Sequence, residues 1–185
     1  MNWRDVPVPG GWCLGLNDEF GTCAFAAVGN HAVLLGKGVM SDGEILNAAH
    51  RIEGLNDQDK STDRGENVET LLNWIKTNGW PGDQTFTIAS WSKVPMDEVA
   101  ATIASRGAAE SWLYLPMATD GINYDFTDGA LARNAPGVYA HAVLVVKATP
   151  EEVTFITWAR PQSVSRAWAE KYFQAFYDVC WTDIG

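Results

Sequence analysis

The chain contains one long segment, Cys23 to Leu35, in which Asn30 and His31 are the only strongly polar side chains. An amphipathic helix would carry a polar face, whereas this segment is apolar nearly all round, which is typical of a buried helix. We predict a helix from Thr22 to about Leu35 that ends at the glycines that follow. The fold is therefore expected to be built around this helix.

A second apolar run lies late in the chain, where Ala142 to Ala148 directly follows His141. This run and the segment from Val153 to Trp158 predict two strands of a β-hairpin, joined by the turn residues 149–152. We therefore expect an antiparallel sheet in the C-terminal part of the chain. His141 is expected to begin one of its buried strands.

Helical spacing, strand alternation and a capping box formed by Ser41 and Glu44 predict the remaining elements. Further helices are expected over residues 41–52, 65–79, 96–106 and 165–174, and further strands over residues 85–89, 111–115 and 176–181. This order predicts an α+β fold in which the helical N-terminal half, with its central cysteine-bearing helix, packs on a C-terminal antiparallel sheet. The length favours a single domain over residues 1–185, with an irregular arm over residues 1–20.

Composition excludes several classes of function. Hydrophobic residues make up 46% of the chain and charged residues 19%, so a disordered tail is excluded, and no apolar run approaches the roughly 18 residues of a membrane span. A net charge of −10 with scattered Lys and Arg residues excludes nucleic acid as a partner. Nine tryptophans are more than a core of this size needs, so we expect some to be exposed at an assembly surface while most pack in the core.

The cysteines and acidic residues favour neither a disulfide framework nor a metal site. The chain contains three cysteines, Cys13, Cys23 and Cys180. Because this number is odd, free thiols are expected, although a disulfide between Cys13 and Cys23 is an alternative. The first residues lack the basic and apolar segments of a secretory signal, which favours the cytoplasm. No zinc spacing is present, and the acidic loop from Asp120 to Asp128 lacks the pattern of a calcium-binding loop. We therefore predict no metal and no cofactor.

Cys23 and His141 have the clearest potential for chemistry. A thiol attacks as its thiolate, and a helix N-terminus together with a nearby imidazolium lowers the cysteine pKa enough to populate that form. The structural alternative is that Cys23 is a small buried hydrophobe and that His141 caps a core strand. His31 and His50 lie in the middle of predicted helices and are interpreted as packing or surface residues.

The order of Asn17, Cys23 and His141 resembles that of the papain-like cysteine peptidases, in which an early cysteine on a helix meets a histidine far downstream. The resemblance implies that the cysteine is the nucleophile and the histidine the base. It further implies that Asn17, six residues before the cysteine, donates to the oxyanion. In that family an asparagine after the histidine orients the imidazole. Here Ile156 stands in its place, so Thr157, a backbone carbonyl or no third residue at all are the alternatives.

Nearly the whole chain also resembles an uncharacterised group of small papain-like proteins from phages and prophage-bearing bacteria. The shared features are residues 17–23, Ser61 to Gly65, Asn73-Trp74, His141 to Val143, Thr157-Trp158 and the aromatic segment 168–172. Within these features, Asp63 and Arg64 are also explained without function, as a helix cap and a surface charge.

Two functions stay open from the sequence. The first is a papain-like cysteine hydrolase of phage or prophage origin that cleaves a peptide or amide bond in the host cytoplasm through a Cys23–His141 dyad. The second is a catalytically silent papain-fold protein, virion-associated or bound to a phage structural protein, which Ile156 and the abundant tryptophans favour. The orienting residue distinguishes them, because an imidazole without a partner loses its fixed tautomer and much of its rate.

Overall fold

The computed structural model describes residues 11–36, 40–81, 86–118, 123–130, 132 and 135–183. Within these ranges, five α-helices and a six-stranded antiparallel sheet confirm the predicted α+β class. The helices are α1 (Cys23–Leu34), α2 (Asp42–Ile52), α3 (Val68–Asn78), α4 (Val99–Arg106) and α5 (Arg166–Tyr172). The strands are β1 (Phe86–Val94), β2 (Ala109–Pro116), β3 (Val138–Ala148), β4 (Glu152–Thr157), β5 (Arg160–Ser165) and β6 (Phe173–Asp183).

The strands of the sheet lie in the order β1-β6-β2-β3-β4-β5, and every neighbouring pair is antiparallel. The late strand β6 lies between β1 and β2, so it joins the two parts of the sheet. β3 pairs with β2 from Val138 to Val145, whereas its pairing with β4 begins only at Leu144. The first half of β3, which includes His141, therefore lies next to β2 and beyond the end of β4.

Helix α1 is the central helix that the apolar segment predicts, because every residue after Cys23 in it is buried. It packs on β3 and against α2. Its buried Asn30 is satisfied by Cys13, whose backbone N–H donates to Asn30 Oδ1 at 2.8 Å and whose carbonyl accepts from Nδ2 at 3.0 Å. In the predicted irregular arm, residues 11–20 form turns and bends, and residues 1–10 lie outside the described part of the chain.

Helices cover both faces of the sheet. Neighbouring side chains of a strand point to opposite faces, and successive residues of β3 accordingly belong to different hydrophobic clusters. Ala142 packs in the cluster of α1, α2 and α3, whereas Val143 and Val145 pack with α4 and α5. The predicted packing of the central helix on the sheet holds for one face, and the two later helices cover the other.

Local sequence signals placed most element boundaries correctly. The capping box is formed as predicted, because Glu44 N–H donates to Ser41 Oγ and Ser41 N–H donates to Glu44 Oε2. The predicted hairpin is formed by β3 and β4. Helix α3 begins at Val68 rather than near residue 65, because Asn67 caps it.

The edge strand β5 was not predicted. Its residues are mostly polar and Val164 is its one buried side chain, so it lacks the apolar alternation by which strands are found. It forms because the two-residue turn at Trp158 and Ala159 returns the chain alongside β4. An edge strand needs only one partner and little apolar surface.

The expected assembly surface of exposed tryptophans is not found in the described part of the chain. The eight tryptophans there are buried or half-buried, and Trp3 lies outside that part. The one large hydrophobic side chain that is exposed among the described residues is Tyr139, at 54%. No helix in the described ranges is long and apolar enough to cross a membrane.

Candidate active site

Cys23 occupies the first position of α1, and the end of this helix is left open. The N-cap residue Thr22 makes no side-chain cap, because its hydroxyl donates to the carbonyl of Gly15 at 2.5 Å instead. Helices α2, α3 and α5, in contrast, are each capped by a side chain. The first-turn N–H groups of α1 are therefore left without a side-chain partner from the N-cap, and those of Cys23 and Ala24 act to lower the pKa of the thiol.

His141 lies on β3 and is held on two sides. Its Nε2 lies 2.7 Å from Thr157 Oγ1, which belongs to the last residue of β4. Its ring stacks on Trp158, with 4.7 Å between the ring centroids and 14° between the planes. Because Nε2 is engaged by the hydroxyl, Nδ1 is the nitrogen left to exchange a proton with another group.

The turn that carries Trp158 is strained. Trp158 and Ala159 have φ values of 44° and 58°, in the left-handed region where two-residue hairpin turns normally use Asn and Gly. Tyr124 also stacks on the indole of Trp158, with 4.8 Å between the centroids and 12° between the planes. These ring contacts hold the indole against His141.

A cleft of about 300 Å³ brings Cys23 and His141 together. Its other lining residues are Arg64, Gly65, Glu66, Asn67, Val68, Trp112, Ala140 and Ala142. The backbone N–H of Ala142, the residue after the histidine, is close enough to Cys23 to act on the pKa of its thiol. The end of α1 and the first half of β3 therefore meet at the cleft.

The electrostatics of the two groups favour their neutral forms. Burial raises the pKa of Cys23, and the backbone N–H groups of Ala142, Ala24 and Cys23 oppose this only in part. Burial also lowers the pKa of His141 to about 4. The prediction that the helix N-terminus and an imidazolium lower the cysteine pKa is therefore wrong in direction, because desolvation outweighs the helix. The cleft is therefore lined by a thiol and by an unprotonated imidazole, which can accept a proton.

Asn17 lies in the turn before α1, where its backbone N–H donates to the carbonyl of Leu14. It is not among the described residues that line the cleft. The backbone N–H groups of Ala142, Ala24 and Cys23 act on the thiol, so they are candidate donors to an oxyanion formed there. The oxyanion role of Asn17 stays a prediction.

One wall of the cleft, residues 64–68, was not recognised in the sequence as part of the site. The interpretation of Asp63 as a helix cap is wrong. Asn67 caps α3, with its Oδ1 accepting from the N–H groups of Glu69 and Thr70, whereas Asp63 accepts from the N–H of Gly21. The shared segment from Ser61 to Gly65 was the one signal that pointed to this wall.

Among the described residues, the remaining titratable groups form no cluster that suggests a metal site. Cys13, Cys23 and Cys180 are free thiols, so the bridge left open between the first two is not formed. In the described part of the chain, no three His, Cys, Asp or Glu side chains come together as metal ligands. Of the acidic loop, Asp125 accepts from Thr127 and Asp128 from Ser165, while Asp120 lies outside the described residues.

Comparison with known proteins found no relative, because no family model and no curated protein matches the chain.

Proposed function

We propose that this protein is a papain-like cysteine hydrolase that cleaves an amide bond, with peptide as the substrate class. The observation that carries the proposal is the shared cleft, in which Cys23 at the open end of α1 lies with a histidine whose Nε2 is 2.7 Å from Thr157 Oγ1. A nucleophile, a base oriented by a third group and N–H donors at one cleft are the parts that acyl transfer needs.

The reaction begins from the neutral pair. His141 Nδ1 accepts the thiol proton as the Cys23 sulfur attacks the carbonyl carbon, and the C=O electron pair moves to the oxygen. The backbone N–H groups of Cys23 and Ala24, with Asn17 as the predicted further donor, stabilise this oxyanion. The imidazolium then protonates the leaving amine and a thioester remains. Water, deprotonated by the same imidazole, hydrolyses the thioester and restores the thiol.

The protonation states define how the pair operates. Because the pKa of His141 is about 4, the imidazole is available as a base throughout the neutral range. Because burial raises the pKa of Cys23, proton transfer accompanies the attack on the substrate rather than preceding it. Iodoacetamide, which needs the thiolate, is therefore expected to label Cys23 slowly at pH 7 and faster above pH 9.

Hydrolysis of a broad peptide library by the wild type, Cys23→Ala and His141→Ala tests the proposal, and Cys180→Ala is the matched cysteine control. We expect each site variant to lose at least about 1,000-fold in kcat/KM while the control stays active. Equal cleavage by Cys23→Ala and the wild type would refute the proposal. So would a folded wild type that cleaves no member of the library.

A catalytically silent papain-fold protein of phage origin, associated with the virion or with a phage structural protein, is the second candidate. The observation in its favour is the neutral pair itself, because a resting thiol with a raised pKa is a weak nucleophile. This candidate predicts that the purified protein binds phage particles whether or not Cys23 is present. A strictly monomeric protein that is absent from virions and hydrolyses peptide would exclude it.

A further inference from the structure

The loop before the nucleophile is fastened to the opposite wall of the cleft by one carboxylate. The backbone N–H of Gly21 donates to both oxygens of Asp63, at 2.9 Å each. Gly21 lies two residues before Cys23, and Asp63 directly precedes the wall of residues 64–68. One contact therefore joins two segments that are far apart in the sequence.

The two backbones approach so closely that only glycine fits. A Cβ built on Gly21 would lie 2.8 Å from Asp63 Oδ1 and 3.1 Å from Gly65 Cα. Both distances are shorter than ordinary contacts, and a backbone atom cannot move aside as a flexible side chain can. The missing side chain at Gly21 is thus what allows the carboxylate to reach the N–H.

The wall is also held from its other side. The backbone N–H of Arg64 donates to Glu53 Oε1 at 2.7 Å, and Asn67 caps α3. The wall is therefore anchored to the end of α2 and to α3, and the carboxylate contact fastens it to the turn that carries the cysteine. Lys60 adds a second link between these two segments, because its Nζ donates to the carbonyl of Glu19 at 3.4 Å.

We propose that Asp63 is a positioning residue, which locks residues 64–68 and the Gly21–Cys23 turn at the separation that forms the substrate cleft. The kinetic part of this inference rests on the proposed hydrolase function, whereas the structural part does not. Asp63 contacts neither the sulfur nor the imidazole by a hydrogen bond among the described contacts, so it acts through Gly21.

The carboxylate also has an electrostatic effect that gives a second readout. After burial, which is the larger cause, the negative charge of Asp63 contributes to raising the pKa of Cys23. Replacing Asp63 by asparagine removes the charge and keeps one oxygen that accepts from Gly21 N–H. Replacement by alanine removes both. The two variants therefore separate the clamp from the charge.

Hydrogen exchange of the full chain tests the clamp without reference to activity. We expect Asp63→Ala to speed exchange in residues 20–24 and 64–68 together by about tenfold or more, while Asp63→Asn stays close to the wild type. Asp57→Asn, a change of the same kind at an exposed carboxylate in the same segment, is the control and should leave both segments unchanged. Unchanged exchange in Asp63→Ala, or faster exchange across the whole chain, would overturn the inference.

Kinetics and alkylation complete the test. Asp63→Ala should raise KM by about tenfold with a smaller fall in kcat, because the displaced wall binds substrate, and Asp63→Asn should recover most of this loss. Iodoacetamide should label Cys23 faster in Asp63→Asn at pH 8, because a nearby negative charge is gone. An unchanged KM in Asp63→Ala would contradict the positioning role, and an unchanged alkylation profile in Asp63→Asn would contradict the electrostatic effect. If the wild type hydrolyses nothing, the proposed function fails, while hydrogen exchange still decides the clamp.

Discussion

Helix α1 contributes to two very different histidine sites. At its start, Cys23 shares an open cleft with His141. Further along, His31 is fully buried, and its Nδ1 lies 3.0 Å from Oε1 of Glu110, which is equally buried on β2. The indole Nε1 of Trp181 lies 3.3 Å from the same Nδ1. Both sites hold an imidazole and an oxygen partner, but only the first is accessible.

Burial dominates the electrostatics of the core pair. Desolvation raises the pKa of Glu110, and the hydrogen bond with His31 opposes this only in part. Among the described residues, the second carboxyl oxygen, Oε2, has no hydrogen-bond partner. Within this part of the chain, His31 therefore holds Glu110 through Oε1.

The comparison shows that a buried titratable pair is not by itself evidence for catalysis. Burial raises the pKa of Glu110 and lowers that of His141, so it disfavours the charged form in both regions. What distinguishes the cleft is access for a ligand and its position at a helix end that carries no side-chain cap. The core pair has neither, and its role is to satisfy the polar groups that α1 and β2 bury.

The largest effect is expected from breaking the core pair. Glu110→Ala removes the carboxyl oxygen that lies 3.0 Å from His31 Nδ1 and leaves a cavity in a dry interior, so the free energy of unfolding should fall by about 3 to 5 kcal/mol. Glu110→Gln keeps an N–H donor for Nδ1 and should cost about 1 kcal/mol or less. Urea unfolding at pH 7 measures both, with the exposed Glu98→Ala as control. Equal losses in the alanine and glutamine variants would show that the hydrogen bond is unimportant.

Acid should destabilise the protein through the cleft rather than through the core. His141 has a folded pKa of about 4, below its ordinary 6.5, so only the unfolded chain binds a proton between these values. Stability is therefore lost as the pH falls from 6.5 to 4, by about 3 kcal/mol from this group. Glu110 has the opposite effect on stability. Because burial raises its pKa in the folded protein, its contribution to stability is lost as the pH rises.

Denaturation of the wild type and His141→Ala across this pH range measures the contribution of His141. The slope of stability against pH, rather than its absolute value, should become shallower in the variant, since the substitution also removes the contacts with Thr157 and Trp158. An identical slope in both proteins would place the acid sensitivity elsewhere.

The smallest effect concerns the oxygen partner of the cleft imidazole. Thr157→Val keeps the shape of the side chain and removes the hydroxyl that lies against His141 Nε2. We expect kcat/KM to fall about tenfold, or about 1.4 kcal/mol, because the imidazole loses its fixed tautomer. Thr157→Ser should retain the activity. A valine variant as active as the wild type would show that Cys23 and His141 work as a dyad without the Thr157 hydroxyl.

Sequence reasoning succeeded where the signal was local. Helix and strand patterns depend on residues that are close in the sequence. This is why the buried helix α1, the capping box at Ser41 and the β3–β4 hairpin were predicted. Thr157 was one of three alternatives for the third site residue, and its contact with His141 is present in the structure. Its role in orienting the imidazole stays a prediction.

The features that were missed depend on contacts between distant segments. The cleft wall at residues 64–68 and the Asp63 contact with Gly21 arise only when the loops meet. The pKa of Cys23 was predicted in the wrong direction because a sequence shows the helix N-terminus but not the desolvation that outweighs it. Strand β5 was missed because its pairing depends on the turn at Trp158 rather than on its own side chains.

The burial of β3 on both faces determines how the chain can vary in length. Even-numbered residues from Ala142 to Val146 and the odd-numbered valines between them lie in different clusters, so a shift by one residue would exchange the two sets. The same shift would replace His141 at the cleft with an alanine from position 140 or 142. A deletion within this strand would thus take the imidazole away from the cleft, whereas a deletion of equal size in an exposed loop would leave the cleft lining in place.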